Sequence, residues 1–405
     1  MKRRLIPIAA LLAAALASPA ALAQKKYDPG ASDNEIKIGN TNPYSGPASA
    51  YGTIGKTIAA YFNMLNSQGG INGRKISFIS YDDGYSPPKT VEMARRLVEQ
   101  DQVLFCFQTL GTPSNSAIHK YMNAKKVPQL FVATGATKWN DPKHYPWTMG
   151  WQPNYQTEGR IYAAHILKNT PNAKIGVLYQ NDDYGKDVLK GLEDGLGEKG
   201  RKLIVKKVTY EVTDPTVDSQ IIQLQGSGAD VFVNITTPKF AAQAVRKVYD
   251  IGWKPVHYLN NVGASVGSVL KPAGFEKAVG IISTFYYKDY TDKQWQNDPA
   301  VKKWEAFMKQ WYPQGNLADG SNMYGYSVAR TLEVVLKQAG DNLTRENIMK
   351  QAASLKNVEI DTLLPGIKIN TSATDFAPIE AMQLGRFNGT QYELFGDVIH
   401  TDKPQ

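Results

Sequence analysis

The residues best suited to chemistry are few and poorly assembled. Five histidines, at positions 119, 144, 165, 257 and 400, form no H-x-x-x-H or H-x-E spacing for a metal. No G-x-S-x-G elbow offers an activated serine. The single cysteine, Cys106, sits in the apolar run Leu104-Phe105-Cys106-Phe107 and reads as a small hydrophobe. Gly195-Leu196-Gly197-Glu198-Lys199-Gly200 spells the dinucleotide fingerprint. That fingerprint works only between a strand and a helix start, where free N–H groups face a pyrophosphate. Here the glycines close a helical pattern and read as its C-cap. Ala50 with Gly55-Lys56-Thr57 loosely follows a phosphate loop, but it begins with Ala and lies at the start of a helical pattern. Asp82-Asp83-Gly84 and Asp182-Asp183 lack the spaced carboxylates and final Glu of a calcium loop, and read as turn or helix caps. Nothing assembles nucleophile, base and oxyanion donors, so no catalytic residue, metal or cofactor is expected.

The elements that would position such residues follow a regular rhythm. Strands are expected at 35–40, 76–81, 103–107 and 128–133, separated by helices at 53–66, 88–100 and 114–125. After a Trp- and Pro-rich stretch at 139–153 the rhythm restarts. Helices at 156–168, 185–199, 217–226 and 239–250 alternate with strands at 174–179, 203–209, 230–235 and 256–260. A strand at 281–285 precedes long helices at 298–312 and 321–339 and a shorter one at 344–353. Tail strands are expected near 363–369, 378–387 and 391–399, with Asn388-Gly389 as a hairpin turn. Alternation of this kind makes parallel sheets with helices on both faces, and two sets imply two such sandwiches in series.

A chain of 405 residues suggests two domains. Its 22 Tyr, 13 Phe and 7 Trp, spread without bias, exclude disorder, and one cysteine excludes a disulfide scaffold. Residues 1–23 read as a secretory signal peptide: basic Lys2, Arg3 and Arg4, an apolar core from Leu5 to Leu16, then Ala21-Leu22-Ala23 before Gln24. No later segment is continuously apolar for about 18 residues, the least that reads as a spanning helix, so an exported protein is expected. The net charge of +9 falls to +6 without the three signal-peptide cations, and no run of five basic residues exists. Scattered charge of that kind argues against a nucleic-acid groove.

Specific residues then carry a resemblance. Ile36-Lys37-Ile38-Gly39, Tyr44-Ser45-Gly46-Pro47, Tyr51-Gly52, the run from Asn66 to Gly73, and Tyr81-Asp82-Asp83 resemble the branched-chain amino-acid binding proteins of ABC importers. Gly111-Thr112-Pro113, Lys126-Val127-Pro128, Asp183-Tyr184-Gly185 and Asp250-Ile251-Gly252-Trp253 continue the likeness, which covers most of residues 35–285. The resemblance implies a type I periplasmic binding protein: α/β, with two doubly wound parallel β/α sandwich lobes joined by a three-strand hinge. Lobe one would take residues 35–153 plus 285–360, and lobe two 154–284 plus 361–405. It further implies a monomer that closes on a small ligand and docks on a membrane permease. The family's carboxylate grip would fall on Leu110, Gly111, Thr112 and Pro113, then Thr134, Gly135 and Ala136. A helix start offers donors and a positive dipole end there without a buried counter-charge. The family's cleft aromatics would fall on Tyr51 and Tyr184.

Departures from the family pattern point to the ligand. The carboxylate that pairs with an amino-acid ammonium is replaced by Val262, and a second lobe-two aromatic by Thr236. No Asp or Glu lies between Lys254 and Lys271. Burying an ammonium without a counter-charge costs several kcal/mol, on the order expected for an unpaired ion. The expected ligand is therefore a small carboxylate without an α-amino group, and Tyr44, Tyr51, Trp139, Trp151, Tyr155 and Tyr184 favour an aromatic acid. An ordinary amino-acid binder and a ligand-sensing module of the same fold remain the rivals.

Overall fold

A computed structural model describes residues 25–401, and the signal peptide expected at 1–23 lies outside the described residues. Strand β1 (Lys26–Tyr27) is followed by β2 (Glu35–Asn42), β3 (Lys75–Asp82), β4 (Phe105–Phe107), β5 (Gln129–Val132) and β6 (Thr148–Gly150). The last five form one parallel sheet in the order β3-β2-β4-β5-β6. A second sheet begins with β7 (Ile175–Gln180), β8 (Ile204–Tyr210), β9 (Val231–Ile235), β10 (Val256–Leu259) and β11 (Ile282–Phe285), all parallel. Strand β12 (Asn342–Leu343) pairs with β1, while the hairpin β13 (Ala381–Phe387) and β14 (Tyr392–His400) adds antiparallel to β11. The second sheet thus runs β14-β13-β11-β10-β9-β7-β8.

Helices α1 (Gly52–Ser67), α2 (Pro87–Arg95) and α3 (Thr112–Lys125) connect the first sheet's strands. Helices α4 (Tyr155–Asn169), α5 (Asp183–Gly200), α6 (Asp218–Gly226), α7 (Pro238–Asp250) and the short α8 (Lys271–Ala273) belong to the second. Helices α9 (Pro299–Trp311) and α10 (Gly320–Ala339) then pack back on α1, and α11 (Arg345–Ala352) packs on α10. The chain passes from one sheet to the other after β6, after β11 and after α11.

Central strands such as β4 (FCF) and β9 (VFVNI) are buried throughout, as parallel strands covered on both faces must be. Proline opens α2, α3, α7 and α9, where its missing N–H breaks no bond. The tail differs from expectation at 363–369, which is not a strand. Gly366 takes a φ of +86° in mid-segment, and among the described residues its β pairing is limited to isolated bridges, Tyr287 with Leu363 and Val358 with Ile369. Strand β6, inside the Trp- and Pro-rich stretch, is too short to leave a period-two signal.

The tempting motifs resolve into packing. Helices α4 and α5 touch backbone to backbone. A Cβ on Gly159 would lie 2.3 Å from the Val188 carbonyl oxygen, one on Gly191 2.1 Å from that of Gln156, and one on Gly195 2.7 Å from the Ala163 Cβ. Gly197, at φ +67°, kinks the helix. The apparent dinucleotide motif therefore fixes α5 against α4. Gly55 lies within α1, where a Cβ would meet the Tyr44 hydroxyl at 2.2 Å. Asp82 and Asp83 tie the turn after β3, and Asp182 caps α5 through the Tyr184 and Gly185 N–H groups. Cys106 is fully buried, and burial pushes its thiol up to about 12, so it stays protonated and unreactive.

His257 is a core histidine. Its Nε2 lies 3.1 Å from the Asn234 amide nitrogen, and its ring packs on Phe232. Burial pushes its pKa down to about 3, whereas the unfolded chain protonates near the ordinary value of about 6.5. The unfolded state therefore takes up the proton first as pH falls, and stability is lost between about pH 6.5 and 3. His257→Gln should lose about 3 kcal/mol less stability than the parent between pH 7 and 4. Urea unfolding at the two pH values measures the difference; equal losses would contradict the account.

Candidate functional site

A parallel strand must leave its sheet through a loop at its C-terminal end, and in open α/β sheets ligands bind there, at the point where strand order reverses. That reversal falls between β2 and β4 in the first sheet and between β7 and β9 in the second. One cavity lies between the two sets of loops. Leu110, Gly111 and Thr112 follow β4, and Ala133 follows β5. From the other side come Tyr184 after β7, Thr237 after β9, Asn261, Val262 and Ser265 after β10, and Tyr286 and Tyr287 after β11. Helices α1 and α10 add Ile54, Ser321 and Tyr324, Tyr51 stands just before α1, and Tyr85, Gln152 and Tyr155 complete the wall. The cavity holds about 660 Å³ of space between protein atoms, counted out to its mouth, and about 70 Å³ is open to the centre of a water molecule. It is a narrow chamber.

Of the residues singled out in the sequence, Tyr51, Leu110, Gly111, Thr112, Tyr184 and Val262 meet at this wall. Pro113, Thr134, Gly135, Ala136 and Thr236 do not line it. Pro113 opens α3, and Thr134 is turned to Thr112, Trp139 and the Ala136 N–H. Gly135 gives its carbonyl to the Tyr155 N–H, and a side chain there would strike Pro153 and Tyr155. Ala136 sits on the outer rim beside Lys138 and Asp183, and Thr236 is locked to Asn234 and Asn260. Trp139 and Trp151 are core residues, Trp151 donating to Thr331. The doubled Tyr286-Tyr287 just past a strand end was a readable signal. Ile54, Ser321 and Tyr324 lie on helices whose pattern reports only burial, and nothing in the pattern marks them.

The wall carries seven tyrosines and no charged side chain among the described residues. Hydroxyls are accounted for differently. Tyr51 donates to the Val262 carbonyl at 2.8 Å, while the buried Tyr184 hydroxyl, 2 % exposed at the residue level, has no hydrogen-bond partner. A buried hydroxyl left so costs about 1–3 kcal/mol, a cost that a ligand oxygen can remove. At the Gly111–Thr112 corner, the first turn of α3 presents N–H groups and a positive dipole end. Glu158 and Asp319 stand one hydrogen bond behind the lining residues Asn261, Ser265 and Ser321, and burial raises both above the ordinary carboxylate range.

The two halves are drawn together. Tyr51 reaches Val262, Ser265 donates to Asp319 at 2.9 Å, and the Gly267 N–H donates to the Ala318 carbonyl at 2.8 Å. On the far rim Thr137 donates twice to Asp187, and Lys138 pairs with Asp183 at 2.7 Å. These bonds bridge groups of different sheets, so the described conformation is a closed one.

Residues 35–391 match the family described as periplasmic binding protein. The chain belongs to that family. Among curated relatives, a Leu/Ile/Val-binding protein homolog 7 of Brucella suis is 24% identical over 80% of this chain and 82% of its own. An amino acid binding protein of Pseudomonas aeruginosa is 24% identical over 82% and 84%. Among solved structures, a fatty acid ABC transporter substrate-binding protein from Thermomonospora curvata superposes with a TM-score of 0.79 at 21% identity, covering 93% of this chain and 95% of its own. A branched chain amino acid ABC transporter protein from Thermus thermophilus with bound valine reaches 0.81 at 13% identity, covering 91% and 97%. The type I two-lobed fold is thereby established for this periplasmic binding protein.

A protein with an open and a closed form divides between them according to their free-energy difference. Tyr51→Phe removes one bridging bond worth about 1 kcal/mol. The ratio of open to closed molecules should rise about fivefold. A distance measured by spin or fluorescent labels on the two lobes reads the change, and an unaltered distribution would remove Tyr51 from the closure contacts.

Proposed function

We propose that the protein captures a small carboxylate lacking an α-amino group, an aromatic acid by preference, through lobe closure in the periplasm and delivers it to the permease of an ABC importer. The observation that carries this reading is the polarity of the wall. It offers neutral donors and the start of α3 to an anion, and no lining carboxylate to an ammonium. Seven tyrosine rings around a narrow chamber suit a flat, apolar body. The reading requires no catalytic group, metal or cofactor, and takes the protein as a monomer with no nucleic-acid partner.

A second reading, an amino-acid binder, draws on Glu158 and Asp319 behind the wall and on the printed names of the Brucella and Pseudomonas relatives. A thermal-shift panel on mature protein, unfolded and refolded to strip ligand, separates the two. Ligand at about 100 times its dissociation constant adds about 2.7 kcal/mol. Aromatic or aliphatic acids should raise the midpoint and Leu, Ile and Val should not. Stabilisation by the amino acids instead would reverse the assignment.

Val262→Glu provides a second check. A new carboxylate on the wall should weaken binding of the stabilising acid at least about tenfold, through like-charge repulsion in poorly screened surroundings. Titration calorimetry measures it, and unchanged affinity would mean that Val262 does not face the ligand.

A further inference from the structure

Two carboxylates stand one hydrogen bond behind the uncharged wall. Glu158 on α4 is 2% exposed, and its Oε1 accepts from the Asn261 N–H at 2.6 Å, the Tyr162 hydroxyl at 2.7 Å and the Thr284 hydroxyl at 3.1 Å. Asp319, the N-cap of α10, is 6% exposed, and its Oδ1 accepts from the Ser265 hydroxyl at 2.9 Å and the Ser321 N–H at 3.0 Å. Asn261, Ser265 and Ser321 themselves line the cavity. No Lys, Arg or His is among the described lining residues. Charges held away from water act over longer distances than exposed ones. Burial opposes their ionisation, and where ionised the two acids place negative charge directly behind Asn261, Ser265 and Ser321, while the start of α3 presents the positive end of its dipole.

We propose that Glu158 and Asp319 are specificity-determining residues. They keep the ligand's single carboxylate at the Gly111–Thr112 corner and exclude a second anionic group from the Val262 side, so that the site takes monocarboxylates and rejects dicarboxylates of the same shape. The inference rests on the carboxylate reading and adds this discrimination to it. Repulsion of a wrong partner, and not only attraction of the right one, is how such selectivity is built. Both residues act through the groups they hold and are positioning residues. Their charge can be removed with the shape kept, since Glu158→Gln retains the oxygen on which all three donors converge and Asp319→Asn retains the acceptor for Ser265 and Ser321.

The test is calorimetry of refolded protein with terephthalate and its monoamide, 4-carbamoylbenzoate, which differ in one charge and hardly in form. The parent should bind the monoamide at least about tenfold more tightly than the dicarboxylate. Glu158→Gln or Asp319→Asn should narrow that ratio at least about threefold, whatever the change in the monoamide affinity itself; two variants guard against one failing to fold. An unchanged ratio in a folded variant, or equal weakening of both ligands, would leave the residues with a structural role only and overturn the proposal. A parent that binds both ligands alike would overturn it while leaving the carboxylate reading intact. A parent that binds no acid but binds leucine, with Glu158→Gln weakening leucine, would overturn both and make Glu158 the ammonium's counter-charge.

Discussion

A parallel β/α unit has one geometric constraint from which the rest of this protein follows: every strand is left through its C-terminal end, and the next helix starts there. All the loops of such a sheet that precede a helix therefore gather on one edge, together with the N–H-rich first turns of the helices. Two sheets with these edges set toward a common gap enclose a chamber whose walls are loops and helix starts. The Gly111–Thr112 corner, Tyr184 beside the Asp182 cap, and the Asn261–Ser265 turn are three instances of this one rule.

The chamber's electrical character comes from what is kept one layer back. Its surface is tyrosine, small hydroxyls and aliphatics, and its charges are the buried acids that brace the turn after β10 and the start of α10. Bracing and electrostatics are then one device. The Asn261–Gly263 turn is held by Glu158 from behind and met by Tyr51 from the opposite lobe, so under the proposal the group that shapes the wall also sets its potential. Asp319 does the same across the gap to Ser265. These contacts join groups from the two halves of the protein.

Rigidity of each half is what makes such closure well defined. Helices α4 and α5 meet backbone to backbone at Gly159 and Gly191, and Gly195 faces the Ala163 Cβ and the Arg160 backbone. Tyr155 and Tyr184, one near the start of each helix, consequently stand edge to face with ring centroids 5.1 Å apart.

Alternating apolar runs and helical periods were enough to read nearly every strand and helix of both sheets, because a covered parallel strand and an amphipathic helix each leave a local periodic trace. The same locality made Gly111-Thr112 readable as a helix start, and Val262 as a residue just past a strand. It failed where pairing depends on distant partners: β6, the β1–β12 pair, and residues 363–369, whose bonds are isolated bridges. Five of the eleven residues singled out for the site turn away from the cavity, because a loop's order along the chain does not say which side chain faces inward. Thr134 faces Thr112 and Trp139, and Thr236 faces Asn234 and Asn260. By itself, then, the sequence determined the two parallel sandwiches, the absence of a lining acid after β10 and the helix start that can take an anion. Only the tertiary structure decided that Glu158 and Asp319, far apart in the chain and ordinary in composition, each stand one hydrogen bond behind the cavity lining, because their positions are set by packing between elements and leave no periodic mark.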